Sequence, residues 1–355
     1  MAEAKERSVR LGFGINPGPM RGVIDAIVEA ESLGFDRVGI WDSPALCRDL
    51  WVTLGAAAAR TERIELSTWV TNPLTRHPMV TACAAASLAE LAPGRVALGL
   101  GTGDSGVYAL GGARASLSRL DDAATAMRAL LRGEATSWDG TRVSLSWEPS
   151  HVPVLVAAHG ERSLRLAGRV GDGVIVGLGV SPDIVTRALE IIDTEADAVG
   201  RTVDHRDVWF VAPWMVDPRP GVARRHALWI ITSLAHHVTR SGPSGKLLPA
   251  DLADAVVELG RAYDLSTHGN PTDAQIDRYQ QRAEELGIAD ELLARWSIAG
   301  TPDEVVAQVR RAIAAGARAL DVANDAAPEH VLDRPRAIAT HVMHRLDEEL
   351  PCSTS

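Results

Sequence analysis

The chain has 355 residues, of which 46% are hydrophobic, 23% are charged and only 4% are aromatic, which is typical of a globular protein with an aliphatic core. Its 46 acidic side chains outnumber 36 Lys and Arg side chains, and the net charge of −10 argues against binding to nucleic acid or an anionic membrane. Cys47, Cys83 and Cys352 lack the spacing of disulfides or a zinc site, and the sequence shows neither a membrane span nor a signal peptide. We therefore expect a cytoplasmic protein without a metal site.

Short β-branched runs alternate with longer helical patterns along the whole chain. Residues 22–33 end at Gly34 and residues 79–91 end before Pro93 and Gly94, as helices do, and Thr301 begins a capping box with Glu304. Eight units of this kind predict a parallel (β/α)8 barrel in preference to a doubly wound sheet, which has fewer strands. The eight predicted strands cover residues 9–13, 37–41, 64–70, 95–100, 152–157, 173–176, 208–216 and 319–322.

The residues beyond those of a typical barrel form two predicted insertions. Residues 138–147 predict a β-hairpin that turns at Asp139 and Gly140. Residues 241–297 predict a polar helical insertion between the seventh and eighth strands, with breaks at 241–243 and 268–271. We expect one domain over residues 1–355, because no linker or repeat divides the chain.

Glycine and small polar residues follow most of the predicted strands, where a barrel of this type carries its active site. Gly160 and Gly179 precede helices whose free N–H groups would suit an anion, which indicates a phosphorylated cofactor. Gly101, Gly103 and Gly106 match a dinucleotide-binding fingerprint. The carboxylate of Asp104 within that loop, and the loop expected over 107–112, argue against this interpretation.

Several of these motifs give the chain a family resemblance. The sequence resembles the luciferase-like flavin and deazaflavin oxidoreductases, and within them the branch similar to methylenetetrahydromethanopterin reductase. The shared stretches are residues 33–38, 41–44, 71–78, 99–105 and 299–304, which span most of the chain in the expected order.

The resemblance implies a (β/α)8 barrel that binds coenzyme F420 or FMN across its mouth. A non-prolyl cis peptide, here between Trp69 and Val70, would back the flavin ring, although the reductase branch has Gly in place of this Trp. Thr71 and Asn72 would contact the ring. The residues that would hold the phosphate end are Ala157, Ala158, His159, Gly160, Gly177, Leu178 and Gly179.

Three residues are candidates for acid–base chemistry. Asp104, next to Gly103, matches an acidic position near the redox centre of relatives and would transfer a proton, or it would instead cap the following turn. Asp42 would meet a cofactor hydroxyl or hold Arg76, unless it only forms a turn. His159 is a better acid–base candidate than His77, for which we expect a structural role.

The substrate pocket is harder to place. Phe13 and Ser43 end the first two strands, and Ser43 occupies the position where a related sugar-phosphate dehydrogenase has a catalytic His. Trp209 and Trp214 on the seventh strand would roof the pocket, or else pack in the core. The histidine pairs 236–237 and 341–344 have no carboxylate at metal-binding spacing and are interpreted as surface or interface residues.

The sequence therefore predicts an oxidoreductase that transfers a hydride between reduced coenzyme F420, or a flavin, and a small organic substrate. One alternative is a monooxygenase that uses O2 and FMNH2 from a separate flavin reductase. Another is a barrel that binds a phosphate ligand without redox chemistry. The resemblance also implies a homodimer formed through the early helices.

Overall fold

The computed structural model describes residues 7–219, 221–264, 272–323 and 330–347. Within these ranges every predicted strand is present. The strands are β1 (Arg10–Ile15), β2 (Arg37–Ile40), β3 (Glu65–Thr68), β4 (Val96–Leu100), β5 (Thr136–Trp138), β6 (Thr141–Val143), β7 (Val154–Ala158), β8 (Gly173–Val176), β9 (Val208–Val216), β10 (Ile298–Gly300) and β11 (Ala319–Ala323).

Eight parallel strands close into a barrel in the order β1-β2-β3-β4-β7-β8-β9-β11, and β11 pairs back with β1. The predicted (β/α)8 barrel is thus confirmed, and the alternative of a doubly wound sheet is wrong. β10 was not predicted as a strand. It extends the sheet by pairing with the C-terminal part of β9, and its three residues are too short for a strand pattern.

Helices cover the outside of the barrel and begin or end where the sequence indicates. Thr301 and Glu304 form the predicted capping box, and Gly34 follows the first helix with φ of +89°. The helices are α1 (Met20–Ser32), α2 (Leu50–Ala58), α3 (Pro78–Leu91), α4 (Ser105–Tyr108), α5 (Leu117–Leu131), α6 (Glu161–Val170), α7 (Pro182–Asp197), α8 (Val222–Ser241), α9 (Ala253–Arg261), α10 (Asp273–Glu285), α11 (Ala289–Trp296), α12 (Pro302–Ala314), α13 (Asp333–Ile338) and α14 (His344–Asp347).

Both insertions are present. β5 and β6 form the hairpin, and its turn places Asp139 at φ 48° and Gly140 at φ 77°. α9, α10 and α11 form the helical insertion, which follows α8. The break expected at 268–271 lies outside the described residues, whereas α8 does end at Ser241 as expected.

The interior of the barrel is unusually polar near the N-terminal ends of its strands. Arg37 is fully buried and donates a 2.8 Å hydrogen bond to Ser67 Oγ. The guanidinium groups of Arg10 and Arg37 lie 4.7 and 4.5 Å from the centre of the Trp209 ring. Trp209 and Asp321 are also fully buried there, so this polar cluster fills the part of the barrel interior that lies beneath the mouth.

Among the described helices, none is long and apolar enough to cross a membrane.

Candidate active site

A cavity of about 470 Å³ lies at the C-terminal ends of the barrel strands. One side is formed by residues after β2, β3 and β4, and the other by residues after β7 and β8 together with α8 and the loop that follows it. Eleven of the predicted site residues line it: Asp42, Ser43, Trp69, Val70, Asn72, Gly103, Asp104, Ala157, His159, Gly177 and Leu178.

Trp69 forms the base of the cavity on the early side. The peptide bond between Trp69 and Val70 is cis, as expected. A Cβ atom on Gly14 would lie 2.3 Å from the Trp69 ring, and one on Gly39 would lie 2.6 Å from the Trp69 Cβ. The indole also stacks against Trp41 at a centroid distance of 6.1 Å. Only glycine at the ends of β1 and β2 leaves room for this indole.

Asp42 and Thr71 form a hydrogen-bonded pair on the same wall. Thr71 is fully buried, and its Oγ1 donates a 2.6 Å hydrogen bond to Asp42 Oδ2. Burial raises the pKa of Asp42 above its usual value, and the hydrogen bond from Thr71 partly opposes that shift. Arg76 forms its ion pair with Asp49, at 2.9 Å. The pair orients the Asp42 carboxylate at the cavity.

Asn72 has a structural task in addition to its place on the cavity wall. Its Oδ1 accepts hydrogen bonds from the backbone N–H groups of Leu74 and Thr75, at 2.9 and 3.0 Å. His77 accepts one from the N–H of Met79 and thereby caps α3, which is the structural role expected for it.

Asp104 faces a helix that the sequence did not connect with the site. Its side chain makes no capping hydrogen bond to α4, so the turn-capping alternative has no support. Instead Asp104 Oδ2 lies 3.7 Å from Nδ1 of His237 on α8, and both side chains are about half exposed. Arg240 of α8 also lies over the ring of Tyr108, at 5.0 Å. α8 therefore closes over the loop that carries Asp104.

His159 lies on the opposite wall. A Cβ atom on Gly177 would lie 2.3 Å from Nε2 of His159, so this glycine makes room for the imidazole. The ring is exposed to the cavity, but enclosure by the surrounding protein lowers its pKa, and the positive charges of Lys246 and His237 lower it further. His159 is consequently neutral at pH 7, and its lowered pKa makes it a weak base.

Three of the backbone N–H groups around the starts of α6 and α7 are hydrogen-bonded to the insertion. The N–H of Glu161, next to Gly160, donates to the carbonyl of Gly245 at 2.7 Å. The N–H groups of Val180 and Ser181 donate to the carbonyl of Arg295 at 2.9 and 3.3 Å. Ala158, Gly160 and Gly179 are not among the residues that line the cavity.

Three of the four residues expected around the substrate lie outside the cavity. Phe13 is fully buried and packs edge-on against Phe35, with ring centres 5.1 Å apart. Trp209, at the start of β9, is in the lower barrel interior, far along the strand from the mouth. Trp214 is fully buried and borders a separate cavity of about 170 Å³. Both tryptophans therefore have the core-packing role that was the alternative.

Ser43 does line the main cavity, where its Oγ lies 2.8 Å from Ser105 Oγ. The cavity also contains residues that sequence reasoning missed, three of them from α8 and two from the insertion: Trp41, Arg114, Leu234, His237, Val238, Lys246 and Trp296. Lys5 and Lys246 are the only lysines in the chain, and this rarity was the one sequence signal that could have marked Lys246 as a site residue.

Among the residues that the structure describes, no cluster of His, Cys, Asp or Glu has the composition of a metal site.

Comparison with known proteins identifies the family. A family model described as luciferase-like monooxygenase matches residues 8–319. The chain belongs to this family. As the motifs predicted, this luciferase-like chain is an oxidoreductase.

Among relatives of this luciferase-like chain, the 5,10-methylenetetrahydromethanopterin reductase of Archaeoglobus fulgidus is 28% identical over 295 residues, covering 81% of this chain and 84% of the relative. The F420-dependent glucose-6-phosphate dehydrogenase of Intrasporangium calvum is 31% identical over 328 residues, or 84% of this chain and 87% of the relative. The solved structure of the coenzyme F420-dependent tetrahydromethanopterin reductase from Methanopyrus kandleri matches with a TM-score of 0.72 at 21% identity, over 96% of this chain and 99% of that one. The last comparison supports the fold.

Proposed function

We propose that this chain binds coenzyme F420 across the barrel mouth and transfers a hydride between that cofactor and a small organic substrate. The observation that carries this proposal is the cavity itself, which is large enough for a flat tricyclic ring and has Trp69 and Val70 at its base. A Cβ atom on Gly101 would approach Val70 Cγ2 to 2.8 Å, so this glycine leaves room for the Val70 side chain at the wall of the cavity. The F420 dependence named for relatives supports the choice of cofactor.

When bound, a deazaflavin supplies or accepts the hydride. The chain's own residues would orient that ring and move the accompanying proton. Trp69, Val70 and Asn72 would position the ring, and Asp42, fixed by Thr71, would accept a hydrogen bond from a cofactor hydroxyl. α8 would limit the access of water to the cavity.

Asp104 and His159 are the proposed proton-transfer groups. They line the cavity, where neutral His159 has one ring N–H and one unprotonated ring nitrogen and would relay a proton, while the Asp104 carboxylate lies 3.7 Å from Nδ1 of His237. Ser43 takes the place of the catalytic His of the sugar-phosphate dehydrogenases, so we do not propose a sugar phosphate as the substrate.

A second candidate is an FMNH2-dependent monooxygenase that uses O2 and receives its reduced flavin from a separate reductase. The description of the matched family, luciferase-like monooxygenase, favours this alternative. The same cavity would hold the flavin ring. A third candidate, a barrel that binds a phosphate ligand without redox chemistry, predicts that neither cofactor binds.

Fluorescence titration of the purified protein distinguishes these candidates. We expect quenching of tryptophan fluorescence by coenzyme F420, because Trp41 and Trp69 border the cavity. Tight binding of FMN or FMNH2 without any response to coenzyme F420 would replace the first proposal by the second. No response to any of the three would remove both. Once a substrate is found, unchanged turnover of Asp104→Asn would exclude Asp104 from proton transfer.

We also propose a cytoplasmic homodimer formed through α2 and α3. Exposed apolar side chains cluster on these helices and the loops before them, with Leu46, Val52, Val80 and Leu91 between 47% and 62% exposed. Light scattering should give twice the chain mass of 37.8 kDa. Val52→Glu should give the monomer mass, and a monomeric wild-type protein would exclude this assembly.

A further inference from the structure

Two cationic side chains lie at one end of the cavity without a carboxylate partner. Arg114 and Lys246 both line this end, next to His159, and neither forms an ion pair with any described residue. Lys246 Nζ donates a 2.5 Å hydrogen bond to the backbone carbonyl of His159. Burial and the nearby charge of Arg114 lower the pKa of Lys246. Two neighbouring cations disfavour each other, so both would stabilise an anionic group that enters this end of the cavity.

Elsewhere in the chain positive side chains are almost always arginines. Lys246 is one of two lysines among 36 Lys and Arg residues, and it is the one that the structure places at the cavity. A lysine ammonium is a compact charge with three donors, of which the His159 carbonyl uses one. The remaining donors are available to a ligand in the cavity.

Two carbonyl oxygens lie close to the glycines that precede the helices on this side. The Gly245 carbonyl oxygen lies 3.1 Å from the position of a Cβ on Gly160, and the Arg295 carbonyl oxygen lies 2.3 Å from that of a Cβ on Gly179. These carbonyls accept hydrogen bonds from the N–H groups of Glu161 and Val180. An anion placed there would meet two carbonyl oxygens instead of free donors.

We propose that Lys246 and Arg114 bind the phosphate group of the cofactor, in place of the backbone N–H groups after β7 and β8. This inference rests on the proposed function, since it assumes a cofactor whose ring lies on Trp69 and Val70. From that position the cavity runs past Ala157, Gly177 and Leu178 to the two cations. The ammonium and the planar guanidinium then provide charge-assisted hydrogen bonds to the phosphate oxygens.

The anion has two possible sources, the cofactor and the substrate. Comparing cofactors with and without phosphate separates them. FMN is compared with riboflavin, and coenzyme F420 with the deazaflavin riboside that lacks the phosphate-bearing tail, each by fluorescence quenching. We expect Lys246→Met and Arg114→Gln each to weaken binding of the phosphorylated member of a pair roughly tenfold, and that of the other member less than twofold.

Two controls complete the experiment. Lys246→Arg keeps the charge and should restore most of the affinity, whereas Arg60→Gln removes a charge from an exposed residue that pairs with Asp25 and should change neither affinity. Equal losses for both members of a pair, or no loss for either, would overturn the assignment. If none of these compounds binds the wild-type protein, the proposed function itself fails, which is a different outcome.

Discussion

The two sides of the cavity differ in how far apart in the sequence their contacting residues lie. The early side, after β2, β3 and β4, is built from short motifs at consecutive strand ends, such as Asp42 with Thr71 and the glycines around Trp69. On the late side, α6 and α7 begin against carbonyls of Gly245 and Arg295, which lie more than 80 residues further along the chain. Motifs therefore define one side of the site, and the insertion defines the other.

The early side holds most of the motifs by which the chain resembles luciferase-like enzymes. On the late side, carbonyls of the insertion accept hydrogen bonds from N–H groups at the starts of α6 and α7, and His237 of α8 and Lys246 of the insertion line the cavity. Substitutions on the early side should affect the packing of Trp69 at the base of the cavity. Substitutions on the late side should affect the loop that carries Lys246.

The largest expected effect comes from Gly14→Ala on the early side. The added methyl group would lie 2.3 Å from the Trp69 ring, which has to move from its place in the barrel mouth. We expect a loss of about 3 kcal/mol in the free energy of unfolding, measured by urea denaturation, and loss of cofactor binding. Gly22→Ala is the matched control, because a methyl group there meets no atom within 4 Å. If both variants behave alike, the early side is not closely packed around Trp69.

On the late side, Arg295→Gln should release the loop that carries Lys246. The Arg295 guanidinium is almost fully buried and donates to Asp183 at 2.7 Å and to the carbonyl of Leu247 at 2.8 Å. Loss of these charge-assisted bonds should cost about 2 kcal/mol and speed hydrogen exchange in residues 242–248.

Arg187→Gln serves as the control for Arg295→Gln. Arg187 is half exposed and pairs with Glu190 at 3.3 Å, so its loss should change stability by less than about 0.5 kcal/mol. Unchanged exchange in residues 242–248 of Arg295→Gln would show that other contacts hold the loop.

The same contrast explains how much could be predicted from the sequence. Strand periodicity and capping residues are local, and they gave the eight barrel strands, the hairpin at Asp139 and the early side of the site. Trp209 was misplaced because its position along β9, near Arg37 rather than the mouth, depends on strand length and register. Lys246 and His237 were missed because their approach to the cavity depends on the packing of the insertion and of α8, neither of which has a motif.

Below the early side, Asp321 gives the protein a pH-dependent stability term. Burial raises the pKa of Asp321 to about 6, and the charge of Arg37 opposes that shift. The Asp321 carboxyl loses its proton at lower pH in the unfolded chain than in the folded chain. Between pH 4 and pH 7 its ionisation therefore lowers the free energy of unfolding as the pH rises. Thermal unfolding should therefore show that, as the pH rises from 4 to 7, the free energy of unfolding of Asp321→Asn increases relative to that of the wild type by on the order of 2 kcal/mol. A difference that stays constant with pH would contradict the shift.

The smallest expected effect concerns the contact between the two sides, from Asp104 to His237. Both side chains are about half exposed and their charged atoms lie 3.7 Å apart, so the pair contributes little to stability. A double-mutant cycle with Asp104→Asn and His237→Gln should give a coupling energy of about 0.5 kcal/mol at low ionic strength. Salt at 0.5 M should reduce the coupling, because exposed ion pairs are screened. A coupling that is independent of salt would mean that α8 is held over Asp104 by other contacts, such as the cation–π contact of Arg240 and Tyr108.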